Sequence, residues 1–147
     1  MKRLRKFLLL PAAKRRCLIS ASLLLPAVKL SLMVLRFQIL RDLLVRLTKL
    51  PLRFSKMDEC STEEVVWAVQ SASRFMPRAS TCLTEALTAQ VLLLRRGHPA
   101  LVHIGTVKGE DGDLQAHAWV ESQGEVLIGG YELERFTPLV VLDGGSR

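Results

Sequence analysis

Apolar positions recur at helical spacing through the first third of the chain. Between Phe37 and Leu50, the residues Leu40, Leu43, Leu44, Leu47 and Leu50 share one face, and Arg41, Asp42, Arg46 and Lys49 take the other. Pro11 and Pro26 suit helix starts or a kink. Upstream, residues 17–35 carry one formal charge, Lys29. About ten Leu, Ile and Val there favour membrane insertion by roughly 0.3–0.6 kcal/mol each, and a central Lys costs about 2.5–3.5. Pro26 and three serines erode the remainder, so the pattern favours amphipathic helices over a span. A secretory signal is not expected either. The basic stretch is long, Lys29 interrupts the apolar run, and no good small-residue cleavage site follows.

The pattern changes after residue 60. Ser61-Thr62-Glu63-Glu64 reads as a capping box. It opens a helix with Val65, Val66, Val69, Ala72 and Phe75 inward, ending before Pro77. Ser80 or Thr81 caps a second helix that places Cys82 in its first turn and stops at Gly97 after Arg95-Arg96. Strands are predicted over 100–107, 115–121 and 125–129, with an edge strand over 138–142. In the second strand Gln115, His117, Trp119 and Glu121 share one face, and Ala116, Ala118 and Val120 the other. Two helices followed by consecutive strands imply an α+β fold with an antiparallel sheet.

Charge divides the chain at the same place. Residues 1–49 hold 12 of the 21 basic residues and one acid, Asp42, a net +11; the rest carries −4. The overall +7 is therefore not a basic nucleic-acid surface spread over the domain. The expected organisation is a basic amphipathic helical region (1–50), a linker (51–60) and a core (61–147). The basic helices can pack on the rest of the chain, on a partner protein or on an anionic membrane surface.

Three cysteines, Cys17, Cys60 and Cys82, are an odd number without CxxC spacing, which disfavours a disulfide framework and a zinc site. Cys82 differs by its place. The first turn of a helix offers unpaired backbone N–H groups and the positive end of the macrodipole, and both favour the nucleophilic thiolate. Of the three histidines, His98 follows a helix stop and is expected to be exposed. His103 lies among Leu101, Val102 and Ile104, where a structural role is expected. His117 lies on the central strand beside Trp119. A helix packed on that sheet can bring Cys82 to His117, where the imidazole would shuttle the thiol proton. Spacing alone does not separate this pair from two residues that share a fold by accident.

The surrounding residues carry more. Thr81-Cys82-Leu83, a helix ending Leu93-Leu94-Arg95-Arg96-Gly97, and Ala116-His117-Ala118-Trp119-Val120-Glu121 with Gly124 closely resemble the transglutaminase-like superfamily. The nearest likeness is to the bacterial lasso-peptide leader peptidases. Its most specific part is Cys…His-Ala-Trp, with Cys82 and His117 35 positions apart. The resemblance implies a papain-like core with cysteine at a helix start, histidine on a strand and an acid on the next. It makes Cys82 the nucleophile and His117 the general base, then acid, without metal or cofactor. It implies a cytoplasmic or membrane-associated protease that removes the leader from a ribosomally made precursor, after a leader segment whose penultimate residue is Thr. The implied partners are a separate leader-recognition protein and an asparagine-synthetase-like cyclase. The alternatives are a weak or inactive scaffold that presents the precursor to the cyclase, and another acyl transferase of this fold.

The chain departs from the family at the third residue. With a three-residue loop at Ser122-Gln123-Gly124, His117 faces Gly129, where the family acid belongs. Glu121 shares the His117 face but is roughly 13 Å away. Glu132, Glu134, Asp143 or a backbone carbonyl remain as orienters of the imidazole.

Overall fold

A computed structural model describes residues 1–49, 60–78 and 81–144. Among them are five helices, α1 (Lys2–Leu8), α2 (Ala12–Val34), α3 (Phe37–Lys49), α4 (Thr62–Phe75) and α5 (Cys82–Arg95). Strands β1 (Leu101–Lys108), β2 (Leu114–Ser122), β3 (Glu125–Ile128) and β4 (Thr137–Asp143) follow, with a 3-10 turn at Leu133–Arg135. The sheet is antiparallel in the order β3-β2-β1-β4. The α+β class expected from the sequence is the class observed.

The centre of the fold is α5. It is buried nearly all round, from Thr84 and Ala86 through Leu93, because α2, α3 and α4 cover its sides and β1 and β2 lie beneath it. A helix enclosed in this way needs no polar face. The buried polar side chains of α5 are Thr84, Thr88 and Gln90. The Thr88 hydroxyl donates to the Thr84 carbonyl at 2.6 Å, and Gln90 Nε2 donates to the Leu142 carbonyl at 2.8 Å and the Ala100 carbonyl at 3.2 Å. The Gln90 bonds tie α5 to the end of β4 and the approach to β1. The helix ends at Arg95, and Gly97 takes a left-handed φ of +79° while His98 N–H returns to Leu93 O at 3.0 Å.

Ser61 caps α4 by accepting from Glu64 N–H at 3.2 Å, a bond worth about 1 kcal/mol. The inward set is Val65, Ala68, Val69 and Ala72. Phe75, expected inside, is instead exposed near the helix end, with the Arg3 guanidinium 5.9 Å from its ring centroid.

The charge break near residue 50 does not coincide with a break in the core. Cys17, Ala21 and Val28 of α2 and Leu40 and Leu44 of α3 belong to the same buried cluster as α4, α5 and the sheet. Pro11 is the N-cap of α2, and Pro26 lies within that helix. The segment expected as a linker lies outside the described residues except for Cys60, which is buried in the core. Its Sγ donates to Ala13 O at 3.4 Å, and His98 Nε2 lies 3.0 Å from its carbonyl.

The β2–β3 hairpin is tighter than expected. Ser122 pairs with Glu125, leaving Gln123 (φ +52°) and Gly124 (φ +81°) as a two-residue turn. Two successive positive φ values define a type I′ turn, whose twist suits a tight hairpin. A register shift follows, with Glu121 opposite Val126 and Val120 opposite Ile128, so Leu127 is an extra residue. β3 ends at Ile128, and Gly129 lies beyond the ladder.

Candidate active site

Cys82 is the first residue of α5, and two threonines build that start. Thr81 is the N-cap, with an extended backbone and an Oγ1 that accepts from Thr84 N–H at 3.2 Å. Thr84 Oγ1 in turn accepts from Thr81 N–H at 2.7 Å. This is a capping box with Thr in place of the usual Glu or Gln, and Thr84 is fully buried. The amides of residues 82 and 83 have no partner within the helix, as in any first turn. A negative charge forming beside Cys82 meets those donors and the positive end of the helix dipole. Ser73 Oγ donates to Glu85 Oε1, joining α4 to the same turn.

The three thiols are not equivalent. Cys17 is buried beside Cys60, and desolvation pushes its thiol up to about 12, against an opposing pull from Arg96. Such a thiol stays protonated and inert at neutral pH. Cys60 is buried as well, whereas Cys82 is half-buried at the edge of the core.

His117 sits in the middle of β2, opposite Gly105 of β1, and is 8% exposed. Its Nε2 lies 2.8 Å from the carbonyl oxygen of Gly129. A carbonyl only accepts, so this bond places the proton on Nε2 and leaves Nδ1 as the basic nitrogen. No hydrogen bond engages Nδ1 among the described residues. Trp119, Tyr131 and Phe136 surround the ring at centroid distances of 6.2, 5.5 and 5.0 Å.

The group that holds the His117 ring is therefore a backbone oxygen, and not the acid that the resemblance implies. Gly129 has a φ of +77°, and a Cβ built there would lie 2.8 Å from Ala118 O and 3.3 Å from His117 Nε2. No side chain fits at that spot without displacing backbone. The contact arises because the chain turns over the His117 face after β3 ends. Of the four carboxylates considered from the sequence, Glu132 pairs with Arg135 at 2.9 Å and none bonds to His117 among the described residues. Gly129→Ala is expected to lose about 1–3 kcal/mol of stability, from the left-handed backbone and the contact with Ala118 O. A thermal melt measures that loss, and turnover measured well below the melt falls further because the imidazole is displaced.

Glu121 serves a different histidine. His103 Nε2 lies 3.1 Å from Glu121 Oε2, an ionic contact without good hydrogen-bond geometry. The His103 ring stacks on Trp119 at 5.4 Å with planes 5° apart. Gly105 leaves room for the indole, since a Cβ there would be 3.0 Å from Trp119 Cη2. His103, Glu121 and Gly105 thus clamp the ring that lies next to His117. The alternation of β2 put Glu121, Trp119 and His117 on one face in the sequence. The partnership with His103 needed the β1–β2 register, which pairs His103 with Trp119. Tyr131, Phe136 and the Gly129 carbonyl had no periodic signal.

The structure does not join Cys82 to His117. No hydrogen bond links them among the described residues. Ala118 and Val120 enter the core shared with α5, whereas His117 alternates with them and leaves the strand from the other face. Metal ligation has no counterpart: among the described residues no three His, Cys, Asp or Glu side chains converge.

Cys82 thus lies on the first turn of a central helix, and His117 lies on a strand with its Nε2 held by the backbone. The chain matches the family model of the transglutaminase-like superfamily over residues 24–141 and belongs to that superfamily. Its members are commonly cysteine peptidases or acyl transferases. The match begins within α2, so the apolar N-terminal helix is in part a piece of the family domain. No curated protein and no solved structure matches the chain.

Proposed function

We propose that this protein is a cysteine peptidase that removes the leader from a ribosomally made lasso-peptide precursor. The observation that carries the peptidase reading is the pre-set tautomer of His117, with Nε2–H on the Gly129 carbonyl and Nδ1 left as the base. The precursor class rests on the likeness of the Thr81-Cys82-Leu83 and Ala116-His117-Ala118-Trp119 segments to the leader peptidases.

In the proposed reaction His117 Nδ1 takes the proton from Cys82 Sγ, and the sulfur attacks the carbonyl carbon of the leader–core amide. First-turn amides of α5 stabilise the oxyanion. The C–N bond breaks, His117 returns the proton to the leaving amine, and the core peptide departs. Water, deprotonated by the same imidazole, attacks the thioester and releases the leader as a carboxylic acid. This reaction requires a rearrangement of β2 or of the start of α5, because His117 leaves β2 on the face away from the core against which Cys82 packs. A separate leader-binding protein would deliver the precursor as an added strand, and an asparagine-synthetase-like cyclase would take the core peptide.

The test is incubation of the chain and a leader-binding protein with a Thr-containing precursor, read by mass spectrometry. Hydrolysis gives two fragments whose masses sum to precursor plus one water. A leader carrying an added amine instead of the water would replace the peptidase reading with amine transfer. Uncleaved but bound precursor would favour the scaffold reading, which the missing Cys82–His117 bond also supports.

A further inference from the structure

α2 buries only one side. Cys17, Ala21, Leu25 and Val28 form its inner stripe, packed with α4 and α5. The opposite stripe is apolar and exposed: Leu23 at 69%, Leu30 at 64%, Met33 at 74% and Val34 at 73%, with Ile19 at 45%. Outward apolar residues running along a helix this long form a patch that water disfavours, and such patches mark a binding surface. By length and composition α2 is long and apolar enough to cross a membrane. Crossing would pull the inner stripe out of the core, because the same helix helps to enclose α5.

The charge around this stripe selects what covers it. The first 49 residues carry a net +11. α1, which leads into α2, exposes Lys2, Arg5 and Lys6 alongside Leu4 and Leu8. Arg36 and Arg41 are exposed beyond the far end of α2. Two copies of this chain meeting through the stripe would bring two such basic regions together. An anionic surface with an apolar interior complements both the stripe and its flanks.

We propose that the outer face of α2, with the exposed basic residues of α1 that precede it in the chain, docks this protein flat on the surface of an anionic lipid bilayer. The helix lies in the interface with Leu23, Leu30 and Met33 among the acyl chains, and its inner stripe stays in the core. This is independent of the peptidase reading.

Flotation of the full chain with vesicles of phosphatidylglycerol and phosphatidylcholine, against phosphatidylcholine alone, tests it. The wild-type chain is expected to float with the anionic vesicles, at least tenfold less with neutral ones, and less in 0.5 M salt than in 0.1 M. Alkaline carbonate is expected to release it. Leu23→Glu/Leu30→Glu is expected to abolish flotation while circular dichroism and the thermal melt stay unchanged. Lys2→Glu/Arg5→Glu/Lys6→Glu leaves the core untouched and is expected to weaken flotation at least fivefold. Absence of flotation with anionic vesicles would overturn the proposal, as would equal flotation with both vesicle types. So would resistance to carbonate, which means a span, or a dimer that Leu23→Glu/Leu30→Glu dissociates in a chain that does not float.

Discussion

Cys82→Ala is expected to give a folded protein whose turnover of a leader-bearing precursor falls at least roughly 10³-fold, to background. The size follows from the chemistry, because removal of the nucleophile ends the covalent route and leaves only binding and oxyanion stabilisation. Folding should survive. The start of α5 is held by Thr81 and Thr84, not by Cys82, and Ala is a good helix former. Cys82 is only half-buried, so truncation leaves little cavity. The measurement is the initial rate of fragment formation, with a melt of the same sample as the folding control. Retained turnover would move the nucleophile elsewhere, and neither other thiol suits it: Cys17 is held protonated by burial and Cys60 is buried beside it.

His117→Ala is expected to lower the same rate by roughly 10²–10⁴-fold, the usual range for removal of a general base. This variant carries a structural cost that Cys82→Ala does not. It deletes the hydrogen bond to Gly129 O and empties space among Trp119, Tyr131 and Phe136. His117→Gln separates the two effects. Its amide keeps a donor and most of the volume but has no basic nitrogen. A rate as low as that of His117→Ala, with a melt closer to wild type, assigns the loss to proton transfer. Recovery of activity in His117→Gln would assign it to packing.

The helices and strands were legible wherever one interaction decided them. Ser61 ahead of Glu64, Gly97 after Arg95-Arg96, and the alternation of β2 each state a local rule that nothing distant overrides. Phe75 was misplaced because helical spacing fixes a direction and not a depth, and α4 ends before the core covers that residue. In the N-terminal third, helical spacing predicts amphipathic helices but does not decide between a partner, a membrane and the chain itself as what covers them. The answer for the inner stripe is the chain itself, and it depends on contacts with α4 and α5 that no local pattern encodes.

At the site, Cys82 at a helix start and His117 beside Trp119 were readable, because capping and alternation are local. The orienter of His117 was not. The sequence located Gly129 and noted the missing acid, but a carbonyl is common to every residue and leaves no trace in a side-chain pattern. Only the positive φ of Gly129 and its path over the His117 face reveal the role. The hairpin expected to bring the two residues opposite each other had one loop residue too many. The bulge at Leu127 and the end of the ladder at Ile128 do that work instead.

The account depends most on whether Cys82 and His117 share a proton in the working protein. The direct measurement is the pH dependence of Cys82 alkylation by iodoacetamide, from pH 5 to 10, in the wild-type chain and in His117→Gln. If the pair forms, wild-type Cys82 reacts at pH 6 at least tenfold faster than in His117→Gln, and the two rates converge at pH 10. Equal rates at pH 6 in the two proteins would contradict the pairing and, with it, the peptidase.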